Sequence, residues 1–168
     1  EARRAAMGQK GYGMFARHHV FALEDGHLVP VRYPDPQRLD ELPGYEQERE
    51  KVIANTRALL EGKPANNVLL YGDRGTGKSS TIHAILNAYK EQGLRMIEIP
   101  KSAVEELSLI REYLADSPMK FIIYIDDLSF DSQDNAFTEL KAALEGGLSA
   151  CQPNTLIYAT SNRRHLIK

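Results

Sequence analysis

The chain has 168 residues, a formal net charge of −2 and a pI near 6.2, with 42% hydrophobic and 26% charged residues. That is enough for one domain with a hydrophobic core, and it offers no global positive field to gather nucleic acid. The single cysteine, Cys151, excludes an internal disulfide, and no apolar run reaches the length that spans a bilayer.

The opening EARRAAMGQK is charged and lacks the apolar stretch of an export signal. Together with the lone thiol this sets a cytoplasmic expectation, and the start at Glu1 without methionine reads as a piece of a longer protein. His18 to Tyr33 reads as a β-hairpin: Val20, Ala22, Leu28 and Val31 flank Glu24-Asp25-Gly26, and Asp-Gly is a strong turn signal. His18 and His19, adjacent on a strand, point to opposite faces and cannot share one metal. Pro34-Asp35-Pro36 breaks regular structure and sets an expected boundary, with an N-terminal extension over residues 1–36 and a core over 37–168.

Residues 45–61 read as a helix, with Val52, Ile53, Thr56, Leu59 and Leu60 at helical spacing and Gly62 and Pro64 ending it. NVLLY, over 67–71, reads as a buried strand. A helix over 77–92 follows, with Ile82, Ile85, Leu86 and Tyr89 on one face; then come a strand over 94–99 and a helix over 102–115 opened by a Ser102/Glu105 capping box. KFIIYI (120–125) is another buried strand, 135–148 a helix, and TLIYAT (155–160) the last strand. Doubly apolar strands alternating with helices predict an α/β fold of three layers around a mostly parallel sheet.

Gly72-Asp73-Arg74-Gly75-Thr76-Gly77-Lys78-Ser79 matches G-x-x-x-x-G-K-[ST] at every fixed position, between a strand and a helix. A polyphosphate packs several negative charges into a small volume. Backbone N–H groups of Gly75 to Ser79 can wrap it, the helix N-terminus adds partial positive charge, and Ser80 continues the first turn. Lys78 is expected to reach the β- and γ-phosphates of ATP, with the Ser79 hydroxyl on Mg²⁺. Arg74 lies within the loop and is expected to be exposed.

FIIYIDD, over 121–127, ends a strand in acid at the sheet edge where α/β folds place ligands. Asp126 is expected to share Mg²⁺ with Ser79, and Asp127 to polarise the attacking water. Asp131 and Asp134 make an acidic loop, read as solvated. Thr160, Ser161 and Asn162 end the last strand on the same edge. Asn162 is favoured over Thr160 as the group touching the γ-phosphate, because an amide both donates and accepts. Arg163, Arg164 and His165 either face a subunit, a phosphate or nucleic acid, or are solvated. His83 reads as a packed or solvated histidine, and Cys151 as an ordinary thiol.

The run LDELPGYEQEREKVIANTRALLEGKPANNVLLYGDRGTGKSS resembles the opening of an AAA+ module. That resemblance implies a P-loop NTPase fold and puts Leu39, Leu42 and Gly44 in the segment that contacts adenine. It makes Asn162 the sensor 1 residue, and it implies the strand order 5-1-4-3-2. A fifth strand, a helical lid and an arginine finger would then lie beyond Lys168. The strings GYGMFARHHVF, FIIYIDDLSF, LEGGL and IYATSNRRHL resemble, from about Gly11 to the C-terminus, a bacterial ATP-binding family named domain of unknown function eight-one-five.

Asp127 stands where most AAA+ ATPases carry Glu, one methylene longer, so slow hydrolysis is expected. The activity the resemblance implies is that of a magnesium-dependent ATPase, acting as a homo-oligomer on a protein or DNA client. An ATP-gated switch with little turnover and an initiator-like DNA-loading factor stay open as alternatives.

Overall fold

The computed structural model describes residues 13–32, 34–42, 44, 46–71, 77–126 and 154–161. The strands in these segments form one six-stranded sheet. In chain order they are β1 (Val20–Glu24), β2 (His27–Pro30), β3 (Val68–Tyr71), β4 (Leu94–Ile99), β5 (Lys120–Ile125) and β6 (Thr155–Ser161). The helices are α1 (Gly13–Arg17), α2 (Glu46–Leu60), α3 (Lys78–Tyr89) and α4 (Leu107–Leu114). Spatial strand order is β2-β1-β4-β5-β6-β3, parallel throughout except for the β1/β2 pair. Taking β3 as the first core strand, the order β3-β6-β5-β4 agrees with 1-4-3-2.

The hairpin turn is the two residues Asp25 and Gly26, both at positive φ (51° and 79°). This is the primed geometry that matches strand twist, and Asp-Gly tolerates it best. The hairpin does not stand apart from the core. β1 pairs in parallel with β4, Phe21 opposite Ile97, so the hairpin extends the sheet. His18 and His19 lie just before β1 instead of on it.

Alternation along the strands divides the core in two. One face of the sheet, carrying Met96, Ile122, Tyr124, Leu156 and Tyr158, packs on Val52 and Leu59 of α2 and on Ile82, Ile85 and Leu86 of α3. The other, carrying Phe21, Ile97, Phe121, Ile123 and Ile157, packs on Phe15 of α1 and on Leu107, Ile110 and Leu114 of α4. This is the three-layer arrangement expected from the apolar strands. α1 was not foreseen, because five residues carry no periodic signal. Its Phe15 meets Phe21 and Phe121 edge-on, with centroids 4.7 and 5.1 Å apart. Buried Arg95 donates to the carbonyl of Phe15, and also to those of Lys90 and Leu94 (2.8 Å each). The guanidinium fork thereby satisfies several carbonyls that water does not reach.

α2 is fixed to the sheet by the phenol of Tyr158, which hydrogen-bonds Thr56 Oγ1 (2.6 Å) and accepts from Asn55 Nδ2 (3.1 Å). The segment before α2 is held to α3 by Asn87, which donates to the carbonyls of Asp35 (2.9 Å) and Gln37 (2.8 Å).

The capping box expected at Ser102 is absent. The chain instead makes a 3₁₀ helix over Lys101–Glu106 behind Pro100, with no side-chain cap, and α4 begins only at Leu107. Ser102 and Glu105 face solvent while Ala103 and Val104 are buried, so burial of the apolar pair sets the local geometry. The expected helix over 135–148, together with Asp131, Asp134, Cys151 and Arg163 to His165, lies outside the described residues.

Candidate functional site

Parallel strands aim their carboxyl ends at one edge, and the register sets which side chains meet there. Glu98 of β4 pairs with Tyr124 of β5, and Tyr124 with Tyr158 of β6. One period further, Asp126 follows Tyr124 on the same face, and Thr160 follows Tyr158. That face is the one covered by α3, the helix that begins at Lys78.

The row closes into a hydrogen-bonded cluster. Tyr124 Oη donates to Asp126 Oδ1 at 2.9 Å, and Thr160 Oγ1 donates to the same oxygen at 2.6 Å. Ser79, at the start of α3, lies close enough to the Tyr124 hydroxyl to lower its pKa. Tyr124 is 4% exposed. Burial, opposed by the nearby hydroxyls of Ser79 and Thr160 and reinforced by the charge and hydrogen bond of Asp126, pushes its pKa far above the ordinary phenol value. It therefore stays protonated and can donate.

α3 starts from Gly77, whose φ of 85° lies in the left-handed region that glycine adopts without strain. The helix has no side-chain N-cap and no acidic residue in its first turn, where Lys78, Ser79 and Ser80 follow one another. Thr81 closes the first turn, its N–H and hydroxyl both donating to the Gly77 carbonyl at 2.8 Å. An N-terminus left this way suits an anionic ligand.

His83, one turn on, has both ring nitrogens against oxygen: Nδ1 lies 3.0 Å from the Ser79 carbonyl and Nε2 3.0 Å from Glu98 Oε2. Its ring meets Tyr124 edge-on at 5.6 Å. Burial alone would lower the His83 pKa, but the hydrogen bonds to Glu98 and to the Ser79 carbonyl, with the charge of Glu98, outweigh it and leave the pKa raised. Only the imidazolium can donate to both acceptors.

A stability prediction follows. A raised folded-state pKa contributes stability that is whole below the unfolded value near 6.5 and is lost as pH rises through the higher folded value. Urea denaturation of the parent and of His83→Gln from pH 5.5 to pH 8.5 should show the parent's advantage shrinking across that window. A gap independent of pH would contradict the assignment.

A hydroxyl and a carboxylate are hard oxygen donors, the kind Mg²⁺ takes when substrate phosphates and water complete its shell. Among the described residues no group of three or more His, Cys, Asp or Glu could hold a metal unaided. The donor set thus fits a cation that arrives with a phosphate ligand, held through Ser79 and Asp126.

Of the other expected site residues, Gly72, Asp73, Arg74, Gly75, Thr76, Asp127 and Asn162 lie outside the described residues. Leu39 packs against the α2/α3 core. The carbonyls of Leu42 (3.2 Å) and Gly44 both accept from Arg49 of α2, so the proposed adenine segment is held by that helix. Tyr124, His83 and Glu98 were not singled out as parts of the site from sequence, and Thr160 was weighed there only as an alternative to Asn162. The period of two could have found Tyr124, since it stands two residues before Asp126 on a strand.

In three dimensions the chain is similar to PCH-2 of C. elegans, with a TM-score of 0.58 and 20% identity over 77% of this chain and 41% of that one. It is also similar to AMPPCP-bound DnaA from Aquifex aeolicus, with a TM-score of 0.51 and 19% identity over 79% of this chain and 44% of that one. These likenesses carry the fold, which is that of AAA+ P-loop ATPases. In sequence it is 26% identical over 137 residues to an AAA-ATPase of Arabidopsis thaliana, covering 76% of this chain and 24% of that protein. It is 32% identical over 80 residues to the replication factor C large subunit of Thermofilum pendens, covering 47% of this chain and 19% of that protein. The chain thus spans a quarter or less of the length of these curated relatives. Among the described residues no helix is long and apolar enough to cross a membrane. Residues 15–168 match the family described as "Protein of unknown function (DUF815)", and with nearly its whole length inside that match the chain belongs to this family.

Proposed function

We propose that this chain is the nucleotide-binding core of an ATPase that holds Mg-ATP at the carboxyl edge of β3, β6 and β5 and hydrolyses it slowly. One observation carries the reading. Asp126, at the end of β5, accepts a hydrogen bond from the Tyr124 phenol, and Ser79, at the start of α3, lies near enough to that phenol to lower its pKa, beside a helix N-terminus with no side-chain cap at Gly77. The G-x-x-x-x-G-K-[ST] pattern that ends at Ser79, and the similarity to a protein named as an AAA-ATPase, support the same reading.

In this mechanism the amides of Gly75 to Ser79 wrap the phosphates, and Lys78 balances charge on the β- and γ-groups. Gly72, Asp73, Arg74, Thr76 and Ser80 shape the loop around them. Ser79 and Asp126 hold the cation. When bound, Mg²⁺ offsets the charge of the phosphate oxygens. Asp127 orients the attacking water, and Asn162 reads the γ-phosphate. Leu42 and Gly44 contact the adenine.

Assembly as a homo-oligomer that acts on a client belongs to the same reading. The likeness to a replication factor C subunit and to DnaA favours DNA as the second candidate client. Salt-dependent DNA binding separates DNA from a protein client.

The experiment is a titration of fluorescent ATP in Mg²⁺ buffer, followed by phosphate release for the parent and Asp127→Asn. The variant is expected to keep its ATP affinity within about twofold and to lose turnover by roughly 10²-fold, the usual scale for a missing acid–base group. Equal turnover in both proteins would remove Asp127 from the mechanism. Absence of ATP binding by the parent would end the reading altogether.

A further inference from the structure

A phenol inside the run KFIIYI reads as core filler, yet its hydroxyl is the point where three strand and helix ends converge. Tyr124 Oη donates to Asp126 Oδ1 (2.9 Å), and Thr160 Oγ1 donates to that oxygen too (2.6 Å). Two O–H donors on Oδ1 fix the rotation of the carboxylate.

We infer that Tyr124 is a positioning residue for Mg²⁺, its phenol fixing the rotation of the Asp126 carboxylate so that the other carboxylate oxygen faces the cation. This rests on reading the site as a Mg-nucleotide site. The phenol holds Asp126 in the way that outer-shell partners orient metal-binding groups, and such partners typically set metal affinity by 10–100-fold. His83 packs edge-on against the same ring and bonds the Ser79 carbonyl, so the ring cannot swing away without disturbing the first turn of α3.

A second phenol supplies the control. Tyr158 lies on the same face of the sheet and is fully buried, and its hydroxyl bonds Thr56 and Asn55 of α2. It lends the fold a comparable buried hydrogen bond without touching Asp126.

The test measures fluorescent ADP binding across a Mg²⁺ titration, and again in excess EDTA, for the parent, Tyr124→Phe and Tyr158→Phe. For Tyr124→Phe the Mg²⁺ concentration at half-effect should rise about tenfold, with affinity in EDTA within about twofold of the parent. Tyr158→Phe should unfold at lower denaturant yet keep the parent's Mg²⁺ half-point. If the Phe variant is poorly folded, Tyr124→Leu, which also lacks the hydroxyl, carries the same expectation. A parent-like Mg²⁺ half-point in a folded Tyr124 variant overturns the inference and leaves the nucleotide site standing. A parent protein whose ADP affinity ignores Mg²⁺ overturns both.

Discussion

Lys78→Ala is expected to weaken ATP binding by at least about 100-fold, or about 2.8 kcal/mol. Lys78 is the first residue of α3, a helix with no acidic residue in its first turn and no side-chain cap at Gly77. In the proposed nucleotide complex the ammonium and the helix N-terminus act on the same anion. Calorimetric titration measures the loss, and a thermal melt checks that the variant is folded. Unchanged affinity would refute the phosphate role, whereas a collapsed melt would show that Lys78 acts in folding.

Phe121→Ala is expected to cost about 3–5 kcal/mol of folding stability, the range for truncating a buried Phe to Ala. Phe121 is fully buried on β5, a strand flanked on both sides by parallel partners. Its ring is also the floor on which Phe15 stands edge-on, and Phe15 in turn meets Phe21 of the hairpin. The cavity left by Ala lies where α1, β1 and β5 converge, and the surrounding strands cannot close over it. Against a total stability of about 5–15 kcal/mol this is a large fraction. Guanidinium denaturation measures it. A loss below about 1 kcal/mol would mean that α1 settles into the gap, making the aromatic stack dispensable.

Which parts of this architecture the sequence could disclose follows from the range of the forces involved. NVLLY, KFIIYI and TLIYAT read as buried strands because both faces are apolar, and Asp25-Gly26 reads as a tight turn because few other pairs accept two positive φ angles. These are local signals. The pairing of β1 with β4 is not local. Val20 finds Met96 across more than seventy residues, and nothing in either segment names the other. The Ser102/Glu105 box is the reverse case: a local signal was present, but burial of Ala103 and Val104 decided the conformation.

At the proposed site, Ser79 and Asp126 could be picked out because the phosphate and magnesium chemistry expected there restricts the residue types. Tyr124 could not, since a tyrosine in an apolar strand gives no sign of where its hydroxyl ends up. Thr160 was weighed and passed over on side-chain chemistry, whereas the register at the end of β6 sets it against Asp126.

The way the hairpin joins the sheet has a consequence for anyone who trims this protein. A version beginning after Pro36 would look like a tidy cut at a proline-rich break, but it would strip β1 from β4 and leave the outward N–H and C=O groups of Leu94 to Ile99 bare. Such a row is a template for another chain to add itself edge to edge. The shortened protein would also lose Phe15 and Phe21 from above Phe121, pairing a sticky margin with an uncovered aromatic floor.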